Sequence, residues 1–160
     1  MLTLYIYMIK QVKQNTEKDM KKVTPFLMFE KNAEEAMKFY VSIFKNSRIT
    51  SHGSFQIDGQ EFLVYNGGPD FKFSEGVSLF IDCETQEEVD DLWEKLSAGG
   101  EKSMCGWVKD KYGLSWQIVP SVLMKYLSDP DPVKSKNVMD AMLKMSKIII
   151  KDLEKAYNQK

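Results

Sequence analysis

Histidine, cysteine and excess charge are scarce in this chain of 160 residues, and each shortage excludes a class of protein. The two cysteines, Cys83 and Cys105, do not form a Cys-x-x-Cys motif, which excludes a disulfide scaffold and a zinc site built from cysteines. The single histidine, His52, excludes any site that needs two imidazoles from one chain. Lysine and arginine total 22 against 23 aspartates and glutamates, so the net charge of -1 gives no electrostatic reason to expect nucleic acid as a partner.

Long apolar runs are also missing. No run approaches the ~18 residues that a transmembrane helix needs, so we expect a cytoplasmic protein with no membrane partner. The first 22 residues place apolar side chains before a group of lysines, which is the reverse of a secretory signal. We expect residues 1–22 to be a poorly ordered N-terminal extension, or the product of an upstream start codon with Met20 as the true first residue.

An internal repeat organises the rest of the chain. Asn32–Tyr40 matches Thr85–Trp93 at an offset of 53 residues. Each copy starts with a residue that can cap a helix and has a glutamate three positions later, which is the spacing of a capping box. Apolar residues then recur at spacings of three and four, which predicts one amphipathic helix per copy. We expect the first helix to end near Lys45 and Asn46, and the second near Gly99.

Strand-forming residues surround both helices, and the repeat continues into them, since Gly59–Val64 matches Gly113–Ile118 at an offset of 54 residues. Each copy therefore reads β-α-β-β-β, although the residues of the first copy do not define its third strand. The predicted strands are Val23–Phe29, Arg48–Phe55, Glu61–Asn66, Val77–Cys83, a short stretch near Lys102, Cys105–Lys109 and Leu114–Val119. Two such modules can pair into one cupped mixed sheet with the helices outside. The sequence thus predicts an α+β domain over residues 23–120, whose hollow is the default place for a ligand.

The C-terminal stretch, residues 121–160, has a different pattern, and we expect it to be a helical extension of the same domain. Apolar residues recur at helical spacing from Val138 through Met142 to Leu153, which predicts one or two helices. The methionines in this stretch are interpreted as adaptable core filler.

Several motifs are similar to one known superfamily. They are Thr24–Phe29, Ala33–Tyr40, Asn66–Pro69, Thr85–Asp90, Gly99–Glu101, Cys105–Trp107 and Asp110–Pro120. From Val23 onward the chain resembles the vicinal oxygen chelate superfamily, which includes glyoxalase I, bleomycin-resistance proteins and extradiol dioxygenases. More narrowly it resembles the PhnB-like group, which is often labelled demethylubiquinone 3-methyltransferase. The resemblance implies the paired-module fold and, by analogy, a homodimer.

The resemblance also implies two metal-ligand positions in each module, one on its first strand and one on its last. Counted along the motifs, these positions are Pro25 and Leu63 in the first module, and Ser78 and Gln117 in the second. None of the four side chains is a good ligand for a divalent ion, and shifting the register by one residue gives no better set. We therefore expect no metal, and the metal-dependent glyoxalase and dioxygenase activities are disfavoured.

Strand alternation selects the side chains expected to line the hollow. If Gln117 faces the hollow, then Ser115 does too, while Trp116 and Ile118 face the helices. Alternation does not place Trp107, which is included for its aromatic ring. The predicted pocket-lining residues are Leu63, Tyr65, Ser78, Phe80, Trp107, Ser115 and Gln117.

Two residues are weak catalytic candidates. His52 lies within a predicted strand on a polar face and could be a lone general base, or simply a surface histidine. Cys105 could be a nucleophile if a cation or helix N-terminus lowered its pKa, or simply a small pocket-lining thiol.

The methyltransferase label finds no support in the glycines. No Gly-x-Gly-x-x-Gly occurs, and neither Gly67–Gly68 nor Gly99–Gly100 stands between a strand and a following helix, so we expect no cofactor. Three hypotheses stay open: a metal-independent protein that binds an unknown small molecule, a metal-independent enzyme (a methyltransferase or lyase) that uses His52 or Cys105, and a structural dimer with a vestigial hollow.

Overall fold

Strands and helices follow one another in the order that the repeat predicts, β-α-β-β-β twice and then helices. The computed structural model describes residues 22–159, so the expectation for the N-terminal segment lies outside the described residues. The chain divides into two compact units between Lys72 and Phe73. The first unit contains β1 (Phe26–Phe29), α1 (Ala33–Ile43), β2 (Ser47–Ser51), β3 (Ser54–Ile57) and β4 (Gln60–Asn66). The second contains β5 (Ser78–Cys83), α2 (Gln86–Ser97), β6 (Glu101–Lys102), β7 (Trp107–Lys109), β8 (Ser115–Pro120), α3 (Ser121–Leu127), α4 (Pro132–Met142) and α5 (Ile150–Tyr157).

The sheet of the first unit has the strand order β1-β4-β3-β2, with β1 parallel to β4 and the other neighbours antiparallel. Helix α1 packs on one face, where Tyr40 meets Phe55 of β3 with ring centroids 5.7 Å apart. Phe55 stacks in turn on Phe62 of β4 at 5.0 Å. All three rings are buried, and each contributes about 1.5–3 kcal/mol of hydrophobic stabilisation, so this face is the core of the unit.

The sheet of the second unit repeats this arrangement with the order β5-β8-β7-β6 and one parallel pair, β5 with β8. Helix α2 packs against β5, β7 and β8. Trp116 is 2% exposed and Ile118 is fully buried, so both belong to the core, as alternation predicts. Alternate residues of each sheet point away from its own helix, α1 or α2, and we call this side the far face of the sheet.

The two N-terminal helix caps differ, although the repeat predicts the same capping box for both. In α2 the Thr85 side chain accepts a hydrogen bond from the backbone N–H of Glu88, as expected. In α1 the Asn32 side chain makes no cap bond. Instead, the Asn66 side chain at the end of β4 accepts the N–H of Ala33 at 2.8 Å, so a residue distant in sequence satisfies that helix end.

Three helices follow β8, where the sequence predicted one or two. Helix α3 begins directly after Pro120, which is both the last residue of β8 and the residue preceding the helix. The helical spacing from Val138 to Leu153 is interrupted after Met142, and it is Ile148 that enters the core. The helices bury a cluster formed by Val119, Leu123, Val138, Ile148 and Leu153. Among residues 22–159, no helix is long and apolar enough to cross a membrane.

Candidate functional site

Two rows of side chains cross the far face of the second sheet, because residues that pair across strands point to the same side. One row contains Trp107, Gln117 and Phe80, and the other Lys109, Ser115 and Ser78. The Gln117 Nε2 donates a hydrogen bond to the Ser78 Oγ at 2.8 Å, which links the rows and fixes the amide. With strands about 4.8 Å apart, each row spans about 10 Å, which suits a small molecule lying across the sheet.

A groove of about 470 Å³ lies against one end of these rows. It is lined by Glu75, Glu101, Ser103, Met104, Cys105, Trp107, Val108, Lys109 and Ser115. Trp107 and Cys105 are half-buried, and Met104 is 47% exposed, so the groove offers an indole, a thiol and a thioether to an apolar ligand. Two serine hydroxyls supply hydrogen-bonding groups. The combination of apolar walls with a few polar groups is typical of small-molecule sites.

The charges in the groove neutralise one another in part. The Lys109 Nζ lies 2.7 Å from a Glu75 carboxylate oxygen and 3.6 Å from one of Glu101. The hydrogen bond to Glu75 raises the pKa of Lys109, and the same bond lowers the pKa of Glu75. Lys109 and Glu75 therefore stay ionised near neutral pH. With Glu101, the groove holds two acidic side chains and one basic side chain, which disfavours a strongly anionic ligand.

Cys105 lies in a tight turn before β7, not within the strand that the sequence predicted. Its φ of 57° and the φ of 81° at Gly106 are both left-handed. The backbone N–H groups of these two residues donate to the carbonyl oxygens of Met145 and Ser146, each at 2.8 Å. The segment after α4 thus fixes the wall of the groove, while the Cys105 thiol donates to the Met142 carbonyl at 3.7 Å.

The other predicted pocket residues lie outside the groove lining. Ser78, Phe80 and Gln117 share its sheet face, and Phe80 is 53% exposed. Leu63 and Tyr65 lie on the far face of the first sheet, half-buried and paired with Phe26 and Met28. The prediction that all seven line one pocket stays a prediction.

The sequence interpretation missed a polar cluster on the far face of the first sheet. Glu61 precedes Leu63 by two positions on β4 and is only 3% exposed. The Thr50 hydroxyl donates to its carboxylate, and Thr50 is also hydrogen-bonded to Ser54. Strand alternation applied backwards from Leu63 would have placed Glu61 on this face.

His52 is not on a strand. The predicted strand Arg48–Phe55 is divided into β2 and β3 by a turn at His52 and Gly53, and the imidazole is exposed. Alternation therefore does not apply to it. Glu34 lies near enough to interact electrostatically with His52, but no described residue forms a hydrogen bond with the imidazole that would orient it as a base.

The four inferred metal-ligand positions form two neighbouring pairs. The backbone N–H of Leu63 donates to the Pro25 carbonyl at 2.9 Å, and Gln117 is hydrogen-bonded to Ser78. These side chains, two apolar and two neutral polar, do not fit a divalent ion. Within residues 22–159 no group of three or more histidine, cysteine, aspartate or glutamate side chains could hold one either.

The junctions at which a strand leads into a helix carry no glycine. The segment between β1 and α1 is Glu30–Asn32, and the one between β5 and α2 is Glu84–Thr85. Nucleotide and adenosyl cofactors of the Rossmann type dock on glycine-rich turns at such junctions. The described residues therefore do not fit S-adenosylmethionine bound in that way.

Two β-α-β-β-β modules, each with a four-stranded sheet of one parallel and two antiparallel strand pairs, define a fold of the vicinal oxygen chelate type. The family model for 3-demethylubiquinone-9 3-methyltransferase matches residues 21–54 and 50–119. The chain thus belongs to this family, whose members include PhnB-like proteins. Among curated proteins, none matches the sequence significantly.

Solved structures agree with this assignment. A PhnB protein from Bacillus cereus is 36% identical with a TM-score of 0.60, and the match covers 63% of this chain and 100% of that one. Protein PA1353 from Pseudomonas aeruginosa is 16% identical with a TM-score of 0.54, covering 63% of this chain and 98% of that one. The second likeness concerns the fold alone. Both leave out more than a third of this chain.

Proposed function

We propose that this protein binds a small, uncharged or weakly cationic molecule in the groove beside Trp107, without a divalent metal. The observation that carries the proposal is the groove itself, whose volume of about 470 Å³ lies within the range of ligand sites. Its apolar walls supply binding energy, and the hydroxyls of Ser103 and Ser115 supply directional hydrogen bonds. The net negative charge around Lys109 selects against anions.

The proposal is tested by thermal-shift screening of a library of small neutral and cationic compounds. Compounds that stabilise the protein are then titrated against Trp107→Ala, which removes the largest apolar surface of the groove. We expect the variant to bind at least about tenfold more weakly, because burying a large apolar side chain contributes about 1.5–3 kcal/mol. The matched control is Met124→Ala, since Met124 is an exposed apolar residue outside the groove. If Trp107→Ala binds every compound as tightly as the wild type, the proposal is wrong.

A metal-independent enzyme is the second candidate, because Cys105 lines the same groove and could contact a bound molecule. His52 lies in the first unit on an exposed turn and is the weaker choice. On this view, Cys105→Ser would abolish turnover of a compound that still binds, whereas His52→Ala would not. Unchanged turnover in Cys105→Ser would remove the enzymatic candidate that rests on this residue.

A further inference from the structure

Two carboxylates of the described chain are almost completely buried, Asp110 at 2% and Glu61 at 3% exposure. Their surroundings differ. Asp110 accepts hydrogen bonds from the backbone N–H groups of Tyr112 and Leu114 and from the indole Nε1 of Trp116. These bonds explain Asp110 as the residue that closes the turn before β8. Glu61 accepts one side-chain bond, from the Thr50 hydroxyl.

Thr50 reaches Glu61 because β2 contains a bulge. The register between β2 and β3 shifts between Ile49 and Ser51, so Thr50 is an extra residue without a cross-strand partner. The bulge brings its hydroxyl to the far face. There Ser54 is hydrogen-bonded to both Ser51 and Thr50 at 2.7 Å, and the Thr50 hydroxyl donates to the Glu61 carboxylate. Bulges commonly re-aim a side chain in this way beside functional sites.

The Glu61 carboxylate keeps acceptor capacity that this cluster does not use. A carboxylate has about four acceptor positions, and the Thr50 hydroxyl fills one of them. Among the ion pairs formed within residues 22–159, none involves Glu61. A buried carboxylate without a cation is costly, and a cationic donor forms the strongest hydrogen bonds with it.

Apolar side chains continue the same face along β4. Leu63 and Tyr65 follow Glu61 at alternate positions, and their partners on β1 are Phe26 and Met28. All four are half-buried. At about 3.4 Å per residue, this apolar surface begins about 7 Å from Glu61 and extends for another 7 Å, which is the size of a single ring.

We propose that Glu61 is the anchor for a protonated amine carried by a small apolar or aromatic molecule, which lies along Leu63 and Tyr65. Thr50 and Ser54 orient the carboxylate, and the apolar surface takes the body of the molecule. This site lies in the first unit. Its residues belong to the first unit and those that line the groove to the second, so substitutions at Glu61 and at Trp107 test the two proposals independently.

The test is a ¹H–¹⁵N NMR titration of the full chain with benzylamine, benzyl alcohol and phenylacetate as probes. We expect saturable shifts at the amides of β3, β4 and the Thr50 bulge with benzylamine, and affinity at least about tenfold lower for the other two probes. Glu61→Gln should weaken benzylamine binding by about the same factor. The control is Asp58→Asn, which removes an exposed negative charge from the same unit at a left-handed turn position that asparagine accepts.

Equal binding of benzylamine and benzyl alcohol to the wild type would overturn the proposal, as would a Glu61→Gln variant that keeps its affinity or the absence of saturable shifts in β3 and β4. If Glu61→Gln does not fold, the comparison of the three probes on the wild type still decides. Shifts confined to β7 and β8 would support the groove and overturn the site at Glu61.

Discussion

Gly106 and Gly59 have similar left-handed backbones, with φ values of 81° and 75°, but different surroundings. A Cβ at Gly106 would lie 2.6 Å from the Ile118 carbonyl oxygen and 3.0 Å from the Ile148 side chain. A Cβ at Gly59 would meet nothing within 4 Å. The first glycine is needed for space as well as for conformation, because it lets the turn at Cys105 pass close to β8.

Gly106→Ala should therefore destabilise the protein by about 3 kcal/mol, the sum of left-handed strain and a backbone clash. Gly59→Ala, which adds the strain alone, should cost about 1 kcal/mol. Urea unfolding followed by circular dichroism measures both. Equal losses in the two variants would contradict the close approach of Gly106 to β8.

The two cysteines should differ in reactivity. Burial raises the pKa of the Cys83 thiol to about 12, with Glu88 and Asp82 adding to the effect, so almost no thiolate forms there at pH 8. Cys105 is half-buried in the groove wall. Ellman's reagent should titrate one thiol per chain in the native protein and two in urea, and Cys105→Ser should abolish the native reaction. Two reactive thiols in the native state would contradict the burial of Cys83.

At the scale of single elements, the helix ends show where local sequence determines structure and where it does not. Thr85 caps α2 from its predicted position, since the cap and its partner Glu88 lie three residues apart. The α1 end is capped by Asn66, which is brought there by the parallel pairing of β1 with β4. No pattern local to Asn32 could reveal that partner.

Asn66→Ala should destabilise the protein by about 1 kcal/mol, the usual cost of a lost N-terminal cap. Asn32→Ala, at the position that the sequence suggested, should cost less, because its side chain makes no cap bond. Urea unfolding of both variants checks the order. If Asn32→Ala proves the more damaging, Asn66 is not the cap of α1.

Helix α5 is held by a pH-dependent contact. The Tyr157 hydroxyl donates to the Asp129 carboxylate, and this bond lowers the pKa of Asp129 and raises the pKa of Tyr157. Because the pKa of Asp129 is lowered in the folded protein, its carboxylate contributes stability at pH values above its unfolded pKa of about 3.9. This stability is lost as the pH falls through the pKa of Asp129 in the folded protein. The pKa of Tyr157 is raised instead, so its contribution to folding stability is fully present below the unfolded pKa of about 10.

The unfolding midpoint in urea should therefore be lower for Tyr157→Phe than for the wild type at pH 7, and this difference should shrink as the pH falls from 5 towards 2. Met124→Ala, away from the contact, should show a difference independent of pH. A Tyr157→Phe effect that is constant across this range would contradict the role of the Asp129 carboxylate.

At the scale of the whole molecule, the duplicated pattern was enough to predict the element order, because capping, helical periodicity and strand alternation repeat at one offset. The faces of Trp116 and Gln117 followed from the same alternation. The groove and the Glu61 cluster did not follow. The groove depends on Met145 and Ser146, far along the chain, holding the Cys105 turn, and the cluster depends on a bulge that alternation cannot anticipate.

The homodimer expected from the family resemblance stays a prediction. Sedimentation velocity of the full chain at micromolar concentration should show one species with twice the mass of 18.5 kDa. A monomer across the accessible concentration range would contradict it. All residues that line the groove belong to the second unit of one chain.

The central claim is that the groove beside Trp107 binds its ligand without a metal. The most direct measurement is a ¹H–¹⁵N NMR titration with a compound from the thermal-shift screen, performed in EDTA and repeated with added zinc. The account predicts the same saturable shifts at Trp107–Lys109 and Ser115–Gln117 in both titrations, and their loss in Trp107→Ala. Shifts that appear only when zinc is present, or that leave these two strands unchanged, would contradict it.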